Sequence, residues 1–255
     1  MEPVVCIVGA IKEEIAVIKG GMNVEETARL DYGSLWIGTW RGRRIALVRS
    51  GIGQIRARRS LEQARERLTL SLVVSMGFAG GLDPRLEVGD LIVADKVLAM
   101  PTGSPDTGPE PREISLRSPC AEQAMALADS ADGKVYAGGL LTVNEIVYTP
   151  ERKRALGERY PVLAAEMETH ALADLSAEKR IPFLAVRSIT DTADHELMNF
   201  SPMQNDRGEV SPLKAGWYVL THPGKAKDMV QLRAHSQKAS ARLTRFVARF
   251  IESLG

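Results

Sequence analysis

Apolar runs of strand length alternate along this chain with stretches of helical periodicity, which predicts an α/β fold on a central sheet. Three stretches carry that expectation. Pro3 to Ala10 is a nearly continuous apolar run that leads into a helix from Lys12 to Lys19. Leu70 to Met76 is a second buried run, leading into an expected glycine-rich turn, Gly77-Phe78-Ala79-Gly80-Gly81. Val162 to Ala165, the helical Thr169 to Lys179 and the apolar Ile181 to Ile189 read as strand, helix and strand. A parallel β-α-β unit puts both strand ends on one edge, and ligands in open α/β sheets sit off the carboxyl ends of strands. Glu168 and Asp191 are therefore expected to face one crevice.

The remaining elements follow in order. Ser34 to Trp40 and Arg43 to Arg49 flank Arg41-Gly42 as a hairpin. Gly51-Ile52-Gly53 opens a helix from Gln54 to Leu68; Arg56 stands where a dinucleotide fingerprint needs its third glycine, so a Rossmann-type dehydrogenase is disfavoured. The arginines of this helix, interspersed with glutamates, read as solvated surface. Leu91 to Val97 is another strand. Met100 to Pro119, rich in proline, glycine and serine, reads as one long loop of the kind that forms lids or partner contacts. Cys120 to Ser130 reads as helix, and Lys134 to Val143 as a strand broken at Gly138-Gly139. Thr149-Pro150 starts a further helix. His195 to His222 is irregular, with Met198, Phe200, Trp217 and Tyr218 as anchors. Gly224 to Leu254 has apolar residues near period 3.6 and reads as a long amphipathic helix. The whole, residues 1–255, is expected to be one domain with a C-terminal helical extension from about 224.

The apolar fraction is 44%, the charged fraction 25% and the net charge +1, which gives no bias toward nucleic acid or an anionic membrane. No apolar run reaches the roughly 18 residues of a membrane span. The N-terminus lacks the basic region of a signal peptide. Cys6 and Cys120 form no disulfide or metal pattern, and the four histidines have no ligand spacing. A cytoplasmic protein with reduced thiols and no metal is expected.

Five ordered motifs carry a resemblance: Ile7 to Ile15, Ser50-Gly51-Ile52-Gly53, Gly77 to Asp90, Ala165-Glu166-Met167-Glu168, and Val186-Arg187-Ser188-Ile189-Thr190-Asp191. They resemble the signature of the purine nucleoside phosphorylase/uridine phosphorylase superfamily. Within it the chain is most similar to 5′-methylthioadenosine/S-adenosylhomocysteine nucleosidases, over about 190 residues as far as Asp194. The resemblance implies a three-layer α-β-α sandwich with a mixed central sheet, a homodimer, a purine nucleoside as substrate and no cofactor. It assigns Glu14 as the base that activates water, with Glu13 one residue away as the alternative. It assigns Asp191 as the acid. Phe78, Ala79, Gly80, Glu166, Met167, Glu168, Ile146, Val147 and Thr190 would line the substrate pocket. Phe78 stands where many nucleosidases have serine. The Ser-Gly-Asp expected before Ile146, and a histidine in the loop after Met100, are absent.

The chemistry has a physical logic. Breaking an N-glycosidic bond needs a leaving base, support for positive charge on the sugar, and a nucleophile. Asp191, protonated, would donate to purine N7. Glu168, ionised, would hold the ribose hydroxyls and stabilise an oxocarbenium-like state. Met167 would give the sugar an apolar floor, and Glu14 would take a proton from water. Glutamates in the first turn disfavour phosphate. Arg49 and Arg187, near strand ends, keep phosphorolysis open; the long C-terminal helical extension, Phe78 and the 142–148 stretch resemble phosphorylases of bulky adenosyl-lipid substrates. Futalosine-type hydrolysis and a non-catalytic nucleoside-binding protein are further alternatives.

Overall fold

The structure, a computed structural model, describes residues 2–100, 110–128, 133–197 and 226–254, without the side chains of 226–229. The anchors expected at Met198, Phe200, Trp217 and Tyr218 lie outside the described residues, as do residues 101–109 of the expected long loop.

Ten strands form one mixed sheet. Four run parallel through its middle: β1 (Val4–Gly9), β4 (Arg43–Arg49), β5 (Leu70–Gly81) and β10 (Phe183–Asp191). Beyond β4 lie β3 (Ser34–Trp40) and the edge strand β2 (Asn23–Arg29), both antiparallel pairings. On the other side are β6 (Leu91–Ala99), β8 (Val135–Thr142) and β9 (Ala164–Glu166), with β7 (Arg112–Ser115) on β6. Because β10 pairs with both β5 and β6, and β9 with both β8 and β5, these five strands close on themselves.

Helices cover both faces, as expected of three layers. On one face α2 (Gln54–Arg67) and α5 (Thr169–Glu178) bury Ala57, Leu61, Leu172 and Leu175 against the sheet. On the other, α1 (Lys12–Gly21), α3 (Pro119–Met125) and the C-terminal α6 (Ala226–Ser253) bury Ile15, Ile18, Ala124, Leu243, Phe246 and Phe250. The remaining helix, α4 (Pro150–Arg159), is capped by Thr149 Oγ1 and packs Leu156 and Tyr160 in a third, smaller cluster.

Several expectations need correction. The strands β9 and β10 do not form a parallel β-α-β unit: β9 runs antiparallel to β5 while β10 runs parallel to it. The glycine cluster from Gly77 to Gly81 is no turn but the last part of β5, whose backbone stays in two ladders. Gly138-Gly139 does not break β8; the irregularity falls on the partner strand between Ala94 and Lys96. Strand β7 lies inside the expected loop, and the sequence reading had no place for β2 because its residues are mostly exposed and polar.

The inner stripe of helix α6, Leu243, Phe246, Val247, Phe250 and Ile251, completes one face of the core. Truncating Phe250, fully buried at 0% exposure, to alanine should cost about 3–5 kcal/mol of stability. Urea denaturation with an unchanged slope checks it.

Candidate active site

The carboxyl ends of β1, β5 and β10 open onto a cavity of ≈ 260 Å³. Every expected pocket residue lines it: Glu14, Phe78, Ala79, Gly80, Ile146, Val147, Glu166, Met167, Glu168, Thr190 and Asp191.

Glu14 is the third residue of α1, and it accepts the backbone N–H of Ala10 (2.6 Å) and Ile11 (3.1 Å) at the helix start. Its other oxygen accepts the N–H of Phe78 in β5 at 2.9 Å. One carboxyl thus joins two strand ends. Burial pushes its pKa up, against the lowering effect of these backbone donors and of Arg187. Glu13 is exposed on the outer side of the helix, so only Glu14 faces the cavity. The Phe78 contact uses the main chain, so the hydroxyl lost with serine is not needed to hold Glu14.

The acidic turn after β9 owes its place to antiparallel pairing. Ala165 and Ala164 lie opposite Gly80 and Gly81, so the chain from Glu166 to Glu168 runs back along β5 toward Gly77. Glu166 is spent on support. Its carboxylate pairs with Arg187 (2.9 Å), accepts the N–H of Glu168 (2.9 Å) and Thr169 (2.8 Å), and takes a hydrogen bond from the Thr142 hydroxyl. Burial alone would raise its pKa, but Arg187 and these donors outweigh that and hold it below the usual range.

Glu168 is half-buried and accepts the N–H of Gly53 at 2.7 Å. Gly53 precedes α2 with φ 98°, a backbone state that glycine adopts without strain. Burial first, then the nearby charges of Glu166 and Glu14, push the Glu168 pKa up to about 8.

Asp191 closes β10. The ladder to β5 slips between Ile189 and Asp191, so two steps in β10 match one in β5. Successive strand residues normally face opposite sides; the slip lets Thr190 and Asp191 both reach the cavity. Thr190 Oγ1 donates to Asp191 Oδ1 at 2.9 Å. On the other oxygen Lys153, from α4, makes a buried ion pair at 2.6 Å.

Lys153 is the charged residue that sequence reasoning missed. In the run Glu151-Arg152-Lys153-Arg154 nothing separates it from its solvated neighbours; only its place on the inner side of α4 does. Ile52, Leu82, Val143, Leu197, Leu232 and Ser236 also line the cavity unforeseen. Arg187 does not offer itself to a ligand: its Nη atoms bond Glu166, Thr169, Ser75 and the Val186 carbonyl. Arg49 lines a separate groove with Arg29 and Tyr32. Among the described residues no cluster of three or more histidine, cysteine or acidic side chains is placed to hold a metal ion, and no helix is long and apolar enough to cross a membrane.

The family profile described as the phosphorylase superfamily matches residues 4–252. The chain belongs to that superfamily. Membership extends past Asp194, where the motif resemblance ends, and takes in α6. Among curated relatives, the 5′-methylthioadenosine/S-adenosylhomocysteine nucleosidase of Tolumonas auensis is 27% identical over 201 residues, covering 74% of this chain and 86% of that protein. The nucleosidase of the same name from Marinomonas sp. is 29% identical over 202 residues, covering 76% and 87%. Among solved structures of this superfamily fold, the Neisseria meningitidis nucleosidase in complex with methylthio-immucillin-A superposes with a TM-score of 0.78 at 22% identity, covering 99% of this chain and 100% of that one. Futalosine hydrolase of Helicobacter pylori reaches 0.78 at 20% identity, covering 99% and 98%.

The raised pKa of Glu168 has a stability consequence with a definite sign. A carboxyl raised from 4.5 to about 8 in the folded protein stabilises the fold fully below pH 4.5, and that contribution is lost as pH rises toward 8. Glu168→Gln should therefore gain stability over the parent protein at pH 8 and lose that advantage at pH 4.5. Thermal melts across this range check it; parallel curves for the two proteins would contradict the shift.

Proposed function

We propose that this protein hydrolyses the N-glycosidic bond of 5′-methylthioadenosine and S-adenosylhomocysteine, releasing adenine and the thioribose. The observation that carries the reading is Glu14. Its carboxyl occupies the backbone N–H groups of Ala10, Ile11 and Phe78, the donors that an anionic nucleophile would otherwise use. Glu166 and Glu168 stand beside it, and no arginine lines the cavity among the described residues. A phosphate dianion would meet three acidic groups there. Water is the nucleophile that such a place accepts, and a carboxyl raised by burial is suited to take its proton.

The other roles follow. Glu168, once ionised, accepts hydrogen bonds from the ribose hydroxyls and stabilises positive charge on the sugar. Met167 lies under the sugar, and Ile146 and Val147 flank the base. Asp191, carrying a proton in the reacting complex, gives it to N7 as the bond from C1′ to N9 breaks. The names of the curated relatives support the substrate. The reading includes a cytoplasmic homodimer that acts on small nucleosides without a cofactor, since each step is a proton or water transfer to a named side chain.

The test is adenine release from 5′-methylthioadenosine by phosphate-free protein, with and without added phosphate. Release in both conditions, with a free reducing sugar, is expected. Release only with phosphate would replace this reading by phosphorolysis. Glu14→Gln and Asp191→Asn should each lower kcat by roughly 100-fold or more, within the span of general acid–base catalysis. An active Asp191→Asn protein would overturn the acid assignment.

A further inference from the structure

Lys153 enters the cavity from α4, outside every motif that carries the family resemblance. Lysines on helices usually keep a hydrated ammonium at the surface. This side chain is 1% exposed. An ammonium has three protons, and three acceptors surround it: Asp191 Oδ2 at 2.6 Å, the Thr192 carbonyl at 2.9 Å and the His195 carbonyl at 2.7 Å. The set is closed, with no proton left over for a ligand. Burial of such an ion pair is weak as a source of stability, because desolvation consumes most of the attraction. Its place beside Asp191 calls for another explanation.

The geometry points to Lys153 as the positioning residue of the acid: it fixes Asp191 and stabilises the carboxylate that forms when Asp191 hands its proton to the departing base. This rests on the glycosidic reading above. As the bond from C1′ to N9 breaks, its electron pair goes to the base. Asp191, the carboxylate of the ion pair in the free protein, takes up a proton from solvent as the nucleoside binds and passes it to N7, so the base leaves neutral. Water adds to C1′ and loses its proton to Glu14, which later releases it to solvent. Negative charge then develops on Asp191, 2.6 Å from the ammonium. A fixed charge aimed at the point where charge develops lowers the barrier without reorganisation. The two carbonyl bonds hold Nζ there and tie α4 to the chain that leaves β10.

A leaving group that needs no proton separates this role from a structural one. Lys153→Met and the parent protein are compared on 5′-methylthioadenosine and on a 4-nitrophenyl riboside, whose aryl oxide departs unprotonated. The expected result is a kcat loss of about tenfold or more on the nucleoside, against less than about threefold on the aryl riboside. The ratio of the two rates does not depend on the folded fraction. Equal losses on both compounds, or no loss on either, overturn the role. Should the Met protein not fold, Lys153→Arg, which keeps the cation, is expected to show a smaller loss confined to the nucleoside, and a loss shared by both compounds overturns the role. If the parent protein turns over the nucleoside alone, the Asp191→Asn background replaces the aryl riboside: Lys153→Met should add no loss there, and a further loss overturns the role. A parent protein that cleaves neither compound refutes the proposed function as a 5′-methylthioadenosine hydrolase instead.

Discussion

A guanidinium buried beneath the cavity holds the acidic turn in place. Arg187 is 2% exposed and pairs with the Glu166 carboxylate at 2.9 Å. Its remaining bonds go to Ser75, Thr169 and the carbonyl of Val186. Glu166 in turn receives the N–H groups of Glu168 and Thr169, so it also caps the start of α5. Strands β5 and β10, helix α5 and the turn between β9 and α5 thus meet at one ion pair. Removing one partner of such a buried pair costs about 3–5 kcal/mol, because the other charge is left uncompensated. Three carboxyl groups can approach one another here only because this cation lies under them.

That pair also divides the carboxyls by charge. Glu166, which takes the cation for itself, is held ionised. Glu168 is raised first by burial and then by its acidic neighbours Glu166 and Glu14, and its pKa rises to about 8. Glu14 is raised by burial while backbone donors from Phe78 in β5 and from Ile11 and Ala10 just after β1 oppose the rise. Groups of the same chemical type are thereby given different proton affinities within one cavity, the general means by which a site runs acid and base chemistry at one pH. Asp191 belongs to a separate system, with its own cation from α4.

The sequence made most of this legible where local pattern and chemistry coincide. Apolar runs marked β1, β5 and β10, because strands buried on both faces are dominated by apolar residues. Glu14 was legible as a first-turn carboxylate, yet its choice over Glu13 depended on helix rotation, which only the structure displays. The meeting of Glu168 with Asp191 was foreseen for the wrong reason: antiparallel entry of β9, not a parallel crossover, brings the acidic turn over β5. Pairing direction leaves little trace in three residues of strand. Lys153 was illegible because a charge run on a helix looks alike on its inner and outer sides. Strand β2, mostly exposed and polar, was hidden because only Val24 and Ala28, both partly buried, pack against the core.

The glycines of β5 explain how one short strand end serves both charge systems. A Cβ at Gly77 would lie 2.8 Å from Glu14 Oε1, and one at Gly80 would lie 2.9 Å from Asp191 Oδ2. Neither carboxyl could keep its position beside a larger residue. The strand is stripped of side chains where the two acids press against it, and Phe78 between them still supplies a backbone donor to Glu14. Glu14 therefore stands one strand residue from its donor, while Asp191 stands further along β5 toward α4. Under the proposed chemistry this separation sets the substrate's orientation: the sugar lies between Glu14 and Glu168, and the base points to Asp191 and Lys153. A nucleoside bound the other way round would place its leaving group among acidic carboxyls and its anomeric carbon away from the base that activates water. Orientation is thus a property of the backbone of β5 as much as of the side chains that do the chemistry.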